Sequence, residues 1–135
     1  MKDVLFIIGS ESDMQAVQPG LDLLAEKGMS HDLKVLSAHR NLEQLLSFLK
    51  AEGANYRLVI AAAGLSAALP GVVASIVETP VIGVPLVSGP LSGIDALLAI
   101  LQLPKGVPVA TMGIGKQGVV NAVLLAERIL GSHRR

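Results

Sequence analysis

Short strand-like runs recur along this chain at residues 4–8, 32–36, 58–62, 81–84 and 107–114, and a helix-length segment separates each from the next. That alternation limits the fold more than any other feature of the sequence. Some of the runs are apolar at every position, as in Val4-Leu5-Phe6-Ile7-Ile8 and Leu58-Val59-Ile60-Ala61-Ala62. A strand apolar on both faces must be covered on both faces, and strands joined through helices pair in parallel. The segments between them carry helical signals. Met14, Val17, Leu21 and Leu24 mark one face, with Gly28 as its stop. Asn41 and Gln44 have the spacing of a capping box, ahead of a stripe of Leu42, Leu45, Leu46 and Leu49 that Gly53 ends. Small-residue 66–77, apolar 94–103 and 117–130 supply the remaining helices, the last closing at Gly131. The expected fold is a three-layer α/β sandwich around a five-stranded parallel sheet, of the flavodoxin/Rossmann kind, with right-handed crossovers.

Length and composition then narrow the function. With 135 residues the chain has the size of one domain, 1–135. Eleven Lys and Arg balance eleven Asp and Glu, and Phe6, Phe48 and Tyr56 are the only aromatics. Neither a phosphate-backbone field nor a stacking platform is available, so no nucleic-acid partner is expected. Without cysteine, thiolate metal sites, disulfides and thiol nucleophiles are excluded. From residue 58 to 94 the only charge is Glu78, and the uncharged stretch 58–77 is long enough to span a bilayer. Gly64, Pro70 and Gly71 interrupt it, and Pro80, Pro85 and Pro90 follow, which suits short buried elements joined by turns. The start, Met1-Lys2-Asp3-Val4, has no signal-peptide pattern. The expectation is a cytoplasmic protein with no membrane partner.

In an open parallel sheet, ligands bind beyond the carboxyl ends of the strands. The segments leaving those ends are 9–13, 37–40, 63–68, 86–93 and 113–118. In Gly9-Ser10-Glu11-Ser12-Asp13, Gly9 allows a tight exit and Ser12 or Asp13 can cap the helix that follows. Free amides at a helix start favour phosphate. The segment has neither a dinucleotide fingerprint nor a nucleotide P-loop, so a small phosphorylated metabolite fits better than ATP or NAD. Asp13 would repel phosphate but could accept hydrogen bonds from a ribose diol. In Ser37-Ala38-His39-Arg40, Arg40 can grip phosphate with two parallel bonds and Ser37 can donate another. Histidine as a residue type can exchange a proton at working pH, which makes His39 the candidate proton carrier. His31 opens a strand and His133 lies in a basic tail, so no three-histidine metal site is expected. No Gly-x-Ser-x-Gly elbow occurs. A phosphoacceptor receiver would need an aspartate where this chain has Ala61-Ala62-Ala63-Gly64.

Gly-Ser-x-Ser-Asp after the first strand and Ser-Ala-His-Arg after the second resemble the PurE family of purine biosynthesis. Ala63-Gly64, Leu69-Pro70-Gly71, Pro80-Val81-Ile82-Gly83-Val84-Pro85 and the segment 91–98 extend the resemblance, as do Gln102-Leu103-Pro104, 106–111 and Asn121-Ala122. It runs in order over essentially the whole chain. It implies a mutase that moves a carboxylate from N5 to C4 of the imidazole in N5-carboxyaminoimidazole ribonucleotide, with no metal and no organic cofactor. It also implies that Ser10, Ser12, Ser37 and Arg40 surround the substrate phosphate, that Asp13 binds the ribose hydroxyls, and that His39 carries the proton. Ala63 and Gly64 would present backbone to the imidazole and to trapped CO2.

One departure bears on the chemistry. Mutase-class sequences usually read Ala-Ala-His-Leu-Pro-Gly where this chain reads Ser66-Ala67-Ala68-Leu69-Pro70-Gly71. Ala68 in place of histidine resembles the class that carboxylates aminoimidazole ribonucleotide directly with CO2, whereas Ser-Ala-His-Arg resembles the mutases. Direct carboxylation is therefore the alternative reading, and a noncatalytic ribonucleotide-binding protein is the alternative from another class. The resemblance further implies a homo-octamer with sites where subunits meet. A second departure is that the sequence stops at Arg135, where the family usually has a further helical tail that packs on a neighbouring subunit.

Overall fold

The computed structural model describes residues 1–132. Its five strands are β1 (Lys2–Ile8), β2 (His31–Val35), β3 (Tyr56–Ala63), β4 (Val81–Pro85) and β5 (Ala110–Thr111), all parallel, in the order β2-β1-β3-β4-β5. The helices are α1 (Met14–Glu26), α2 (Leu42–Glu52), α3 (Leu69–Ile76), α4 (Ile94–Leu101) and α5 (Gly115–Ser132). The three-layer sandwich expected from the sequence is the observed architecture.

The strand period of two sorts side chains between the two helical layers. Val4, Phe6 and Ile8 with Leu58, Ile60 and Ala62 face α1 and α5, where Val17, Leu21, Leu24, Val119, Val123 and Ala126 meet them. Leu5, Ile7, Val59 and Ala61 face the other way, toward Leu45 and Leu49 of α2, Val73 of α3 and Ile100 of α4. Both faces of β1 and β3 are therefore core, which is why those runs carry no polar alternate. With so few aromatics the packing depends on small residues at crossings. A Cβ on Gly20 of α1 would come within 2.5 Å of a Val119 methyl on α5.

Three local expectations are corrected. The fifth strand, expected over 107–114, pairs only at Ala110 and Thr111, opposite Ile82 and Gly83. Pro108 has no amide to donate to a ladder, and Gly113 at φ 116 turns the chain away. The helix expected from residue 66 starts at Leu69, because Leu65 sits at φ 55 and residues 65–68 form two tight turns instead. Pro70 then occupies the first helical turn, where its missing amide costs nothing. Asn41 and Gln44 do not form a capping box: the Asn41 side chain makes no cap, and the Asn41 main-chain N–H donates to the Ser37 carbonyl. Among the described residues no helix is long and apolar enough to cross a membrane.

Candidate active site

The register brings the ends of four strands to one edge. Ile8 lies opposite both Val35 and Ala62, and Ala63 lies opposite Pro85. From there β1 leads to α1 on one face, whereas β2 and β3 lead to α2 and α3 on the other. Connections that diverge between neighbouring strands open a crevice, here between β1 and β3. It is occupied by a cavity of about 370 Å³. Ser10, Ser12, Asp13, Ser37, His39, Arg40, Ala63 and Gly64 all line it, so every site residue expected from the sequence converges on one space.

Each loop is held in a way that leaves chemistry free. After β1, the Ser10 hydroxyl accepts the Ser12 amide at 3.2 Å and lies 2.9 Å from the Ser12 hydroxyl. One hydroxyl of that pair donates to the other, which leaves the second proton for a ligand. The cap of this turn is thus Ser10, not Ser12 or Asp13, and the Asp13 side chain makes no cap at α1. Burial pushes the Asp13 carboxyl above its ordinary range, only partly offset by the backbone at Ser10. Gly9, read in the sequence as permitting a tight exit, has no positive φ, and a Cβ there would meet nothing within 4 Å. It lines the cavity instead, with open space where a side chain would begin.

After β2, buried Ser37 organises the loop. Its hydroxyl accepts the amides of His39 at 3.2 Å and Arg40 at 3.1 Å, and its own proton stays available. Arg40 is exposed, and no carboxylate among the described residues holds its guanidinium. The His39 ring reaches across to the β3 loop, with Nε2 3.1 Å from the Ser66 carbonyl oxygen. The Ala63 carbonyl already accepts the Leu86 amide at 2.9 Å. Gly64 has to be glycine for packing, since a Cβ would lie 2.8 Å from Cβ of Ser88.

Ala68, singled out in the sequence as standing where mutase-class sequences have histidine, also lines the cavity, and so do Leu65, Ser66, Leu69 and Ser88, which were not assigned a site role from the sequence. Ser88 was findable, since it stands in the segment leaving β4. Ser66 acts through a backbone atom, which no residue pattern displays. His31 lies elsewhere: its Nδ1 is 2.9 Å from the Met29 carbonyl at the start of β2. His133 is outside the described residues. Among those residues, no group of three or more His, Asp or Glu side chains converges as a metal site would require.

Comparison with known proteins identifies a family. The AIR carboxylase family matches residues 3–135. The N5-carboxyaminoimidazole ribonucleotide mutase of Pseudomonas aeruginosa is 47% identical over 93% of this chain and 78% of its own length. The Brucella melitensis protein of the same name is 45% identical over 95% of this chain and 80% of its own. Among solved structures, PurE of Treponema denticola superposes with a TM-score of 0.84 at 32% identity, covering 95% of this chain and 79% of that one.

Proposed function

The chain belongs to the AIR carboxylase family, and from that premise we propose that it isomerises N5-carboxyaminoimidazole ribonucleotide to the C4-carboxylated form. The observation that carries the reading is the convergence of phosphate, ribose and proton-transfer groups from three loops on one cavity. Relatives 45–47% identical over nearly the whole chain carry the mutase name.

The roles follow from the chemistry each group retains. Arg40, with the spare hydroxyl protons of the Ser10–Ser12 pair and Ser37, binds the phosphate by charge and direct donation. Asp13 accepts from the ribose hydroxyls. Protonated His39 gives its proton to N5 as the N–CO2 bond breaks, so the amine forms and CO2 is released into the cavity. The imidazole C4 attacks that CO2, and neutral His39 removes the C4 proton to restore the ring. One group serves both transfers, and His39 ends protonated as it began. Confinement replaces a bimolecular recapture of CO2 by an intramolecular one. The residues present supply this chemistry without metal or organic cofactor.

Direct carboxylation of the amine by CO2 is the second reading, favoured by Ala68, which offers a methyl to the cavity where mutase-class sequences place histidine. Purified protein given the carbamate substrate, and separately the amine with bicarbonate, distinguishes the two. Turnover in the first assay is expected, and turnover confined to the second would overturn the mutase reading. His39→Asn should abolish turnover while ribonucleotide binding persists. The same reading places the enzyme in the cytoplasm as a homo-octamer. The apolar residues exposed along α4 support association.

A further inference from the structure

We propose that the Leu65–Ser66 turn is the positioning element of the proton carrier: the Ser66 main-chain carbonyl holds neutral His39 in its Nε2–H tautomer, and both proton transfers run through Nδ1. This deepens the mutase reading: the proton transfers rest on that reading, though the tautomer itself does not.

A carbonyl oxygen has no hydrogen to give. At 3.1 Å from Ser66 O, Nε2 of His39 must be the donor. A neutral imidazole carries one N–H, so its lone pair is on Nδ1, which no group among the described residues engages. When the ring is charged, Nε2–H keeps the same partner. The proton that comes and goes is therefore the one on Nδ1.

The turn that supplies the carbonyl is held from several sides. The Leu65 carbonyl accepts the Ala67 amide at 2.9 Å, and the Ser66 carbonyl accepts the Ala68 amide at 2.7 Å. Between these overlapping turns the Ala67 methyl is buried in the core beside α3. Leu65 at φ 55 is one of two non-glycine residues among those described with positive φ. Such a backbone persists where the surroundings impose it, and it gathers at working sites. Here the Leu65 side chain lies over Gly89, whose absent Cβ would stand 2.9 Å from Leu65 Cδ2. On the other side Ser37 fixes the His39 amide. The ring is thus held at its backbone by β2's loop and at Nε2 by β3's loop, which leaves one nitrogen for chemistry.

Long-range ¹H–¹⁵N correlation on histidine-labelled protein reads the tautomer directly, with His39→Gln assigning the signal. A single Nε2–H form of neutral His39 is expected, and a Nδ1–H form or a fast mixture would overturn the proposal. Two variants test what the turn does. Leu65→Ile, whose β-branched side chain resists positive φ, should lower kcat by tenfold or more, a fraction of the ~10²–10⁴ that acid–base catalysis supplies. KM should change by less than about threefold, because phosphate and ribose are held on other loops. Leu65→Gly, which adopts this φ freely, should retain the Nε2–H tautomer. Equal kcat and tautomer in Leu65→Ile would overturn the proposal. Should that variant not fold, the parent and Leu65→Gly spectra still decide. Tautomer is measured without substrate, so absence of carbamate turnover would defeat the mutase reading and leave this measurement intact.

Discussion

Gly9 and Gly64 line the same cavity, yet the structure requires them for different reasons. A Cβ on Gly64 collides with Ser88 at 2.8 Å, whereas a Cβ on Gly9 meets no protein atom within 4 Å. The first is needed by the fold and the second only by whatever enters the cavity. Gly64→Ala should lower unfolding free energy by about 1–3 kcal/mol, the usual cost of overpacking. Gly9→Ala should stay within ~0.5 kcal/mol of the parent in denaturant titration. Its KM should nevertheless rise about tenfold to a hundredfold, since an intruding methyl costs a ligand about 1–3 kcal/mol as well. Equal destabilisation by the two substitutions would show that Gly9 serves the backbone. From sequence the two glycines read alike, because each simply follows a strand. What separates them is the β4 loop, which passes against one and not the other.

At the scale of elements, the opposite end of the sheet has its own polar tie. Asp32 on the edge strand β2 accepts from Lys2 of β1 at 2.5 Å and from the Tyr56 hydroxyl of β3 at 2.5 Å. The Lys2 bond foremost, then Tyr56, holds the Asp32 carboxyl below its ordinary range. That contribution is present at neutral pH and fades as acid protonates the folded carboxylate. Burial first, and then the Asp32 bond, push the Tyr56 phenol up to about 12. The unfolded phenol ionises near 10, so this share of stability is complete below pH ~10 and is lost as pH rises toward about 12. Tyr56 is the only tyrosine, so phenolate absorbance follows it alone. The midpoint should lie well above 10 in the native protein and return to about 10 in denaturant. A native midpoint at 10 would mean that the tie does not form. Elements of this kind were the most legible part of the sequence. Apolar period and breakers located β1, β2, β3, β4 and four helices within a few residues. The misplacements fall where tertiary context overrides local pattern: at Pro108 beside β5, and at residues 65–68, where contacts from two other loops impose turns on a helix-like run. The same override explains the site. Its side chains were readable from strand-end positions, but the Ser66 carbonyl was not, because any residue could supply it.

For the whole molecule, the question is what covers α4. Ala96 and Ile100 are its buried residues toward the sheet, but Ile94, Leu98 and Leu101 are each more than half exposed, as is Leu91 in the turn before the helix. Spacings of four and three put Ile94, Leu98 and Leu101 on one helical stripe. Leu65 and Val87, also more than half exposed, extend the apolar surface toward the rim of the cavity. Full burial of such a side chain from full exposure is worth about 1.5–3 kcal/mol. About half of that remains to be gained at each of these residues, which still gives association a drive to set against its entropic costs. In the proposed octamer this stripe meets other copies, and the cavity rim lies beside the contact. Leu98→Glu tests that geometry without touching the cavity, since Leu98 is not among its lining residues. Light scattering should give the parent a mass eight times the 14.0 kDa chain and the variant a smaller species at equal concentration. Far-UV circular dichroism should match between them, because the stripe does not contribute to the monomer's core. Turnover of the carbamate should fall together with the assembled fraction. A variant that keeps the parent's mass would place the contact on another surface, and a small species of full activity would show that one chain makes a complete site.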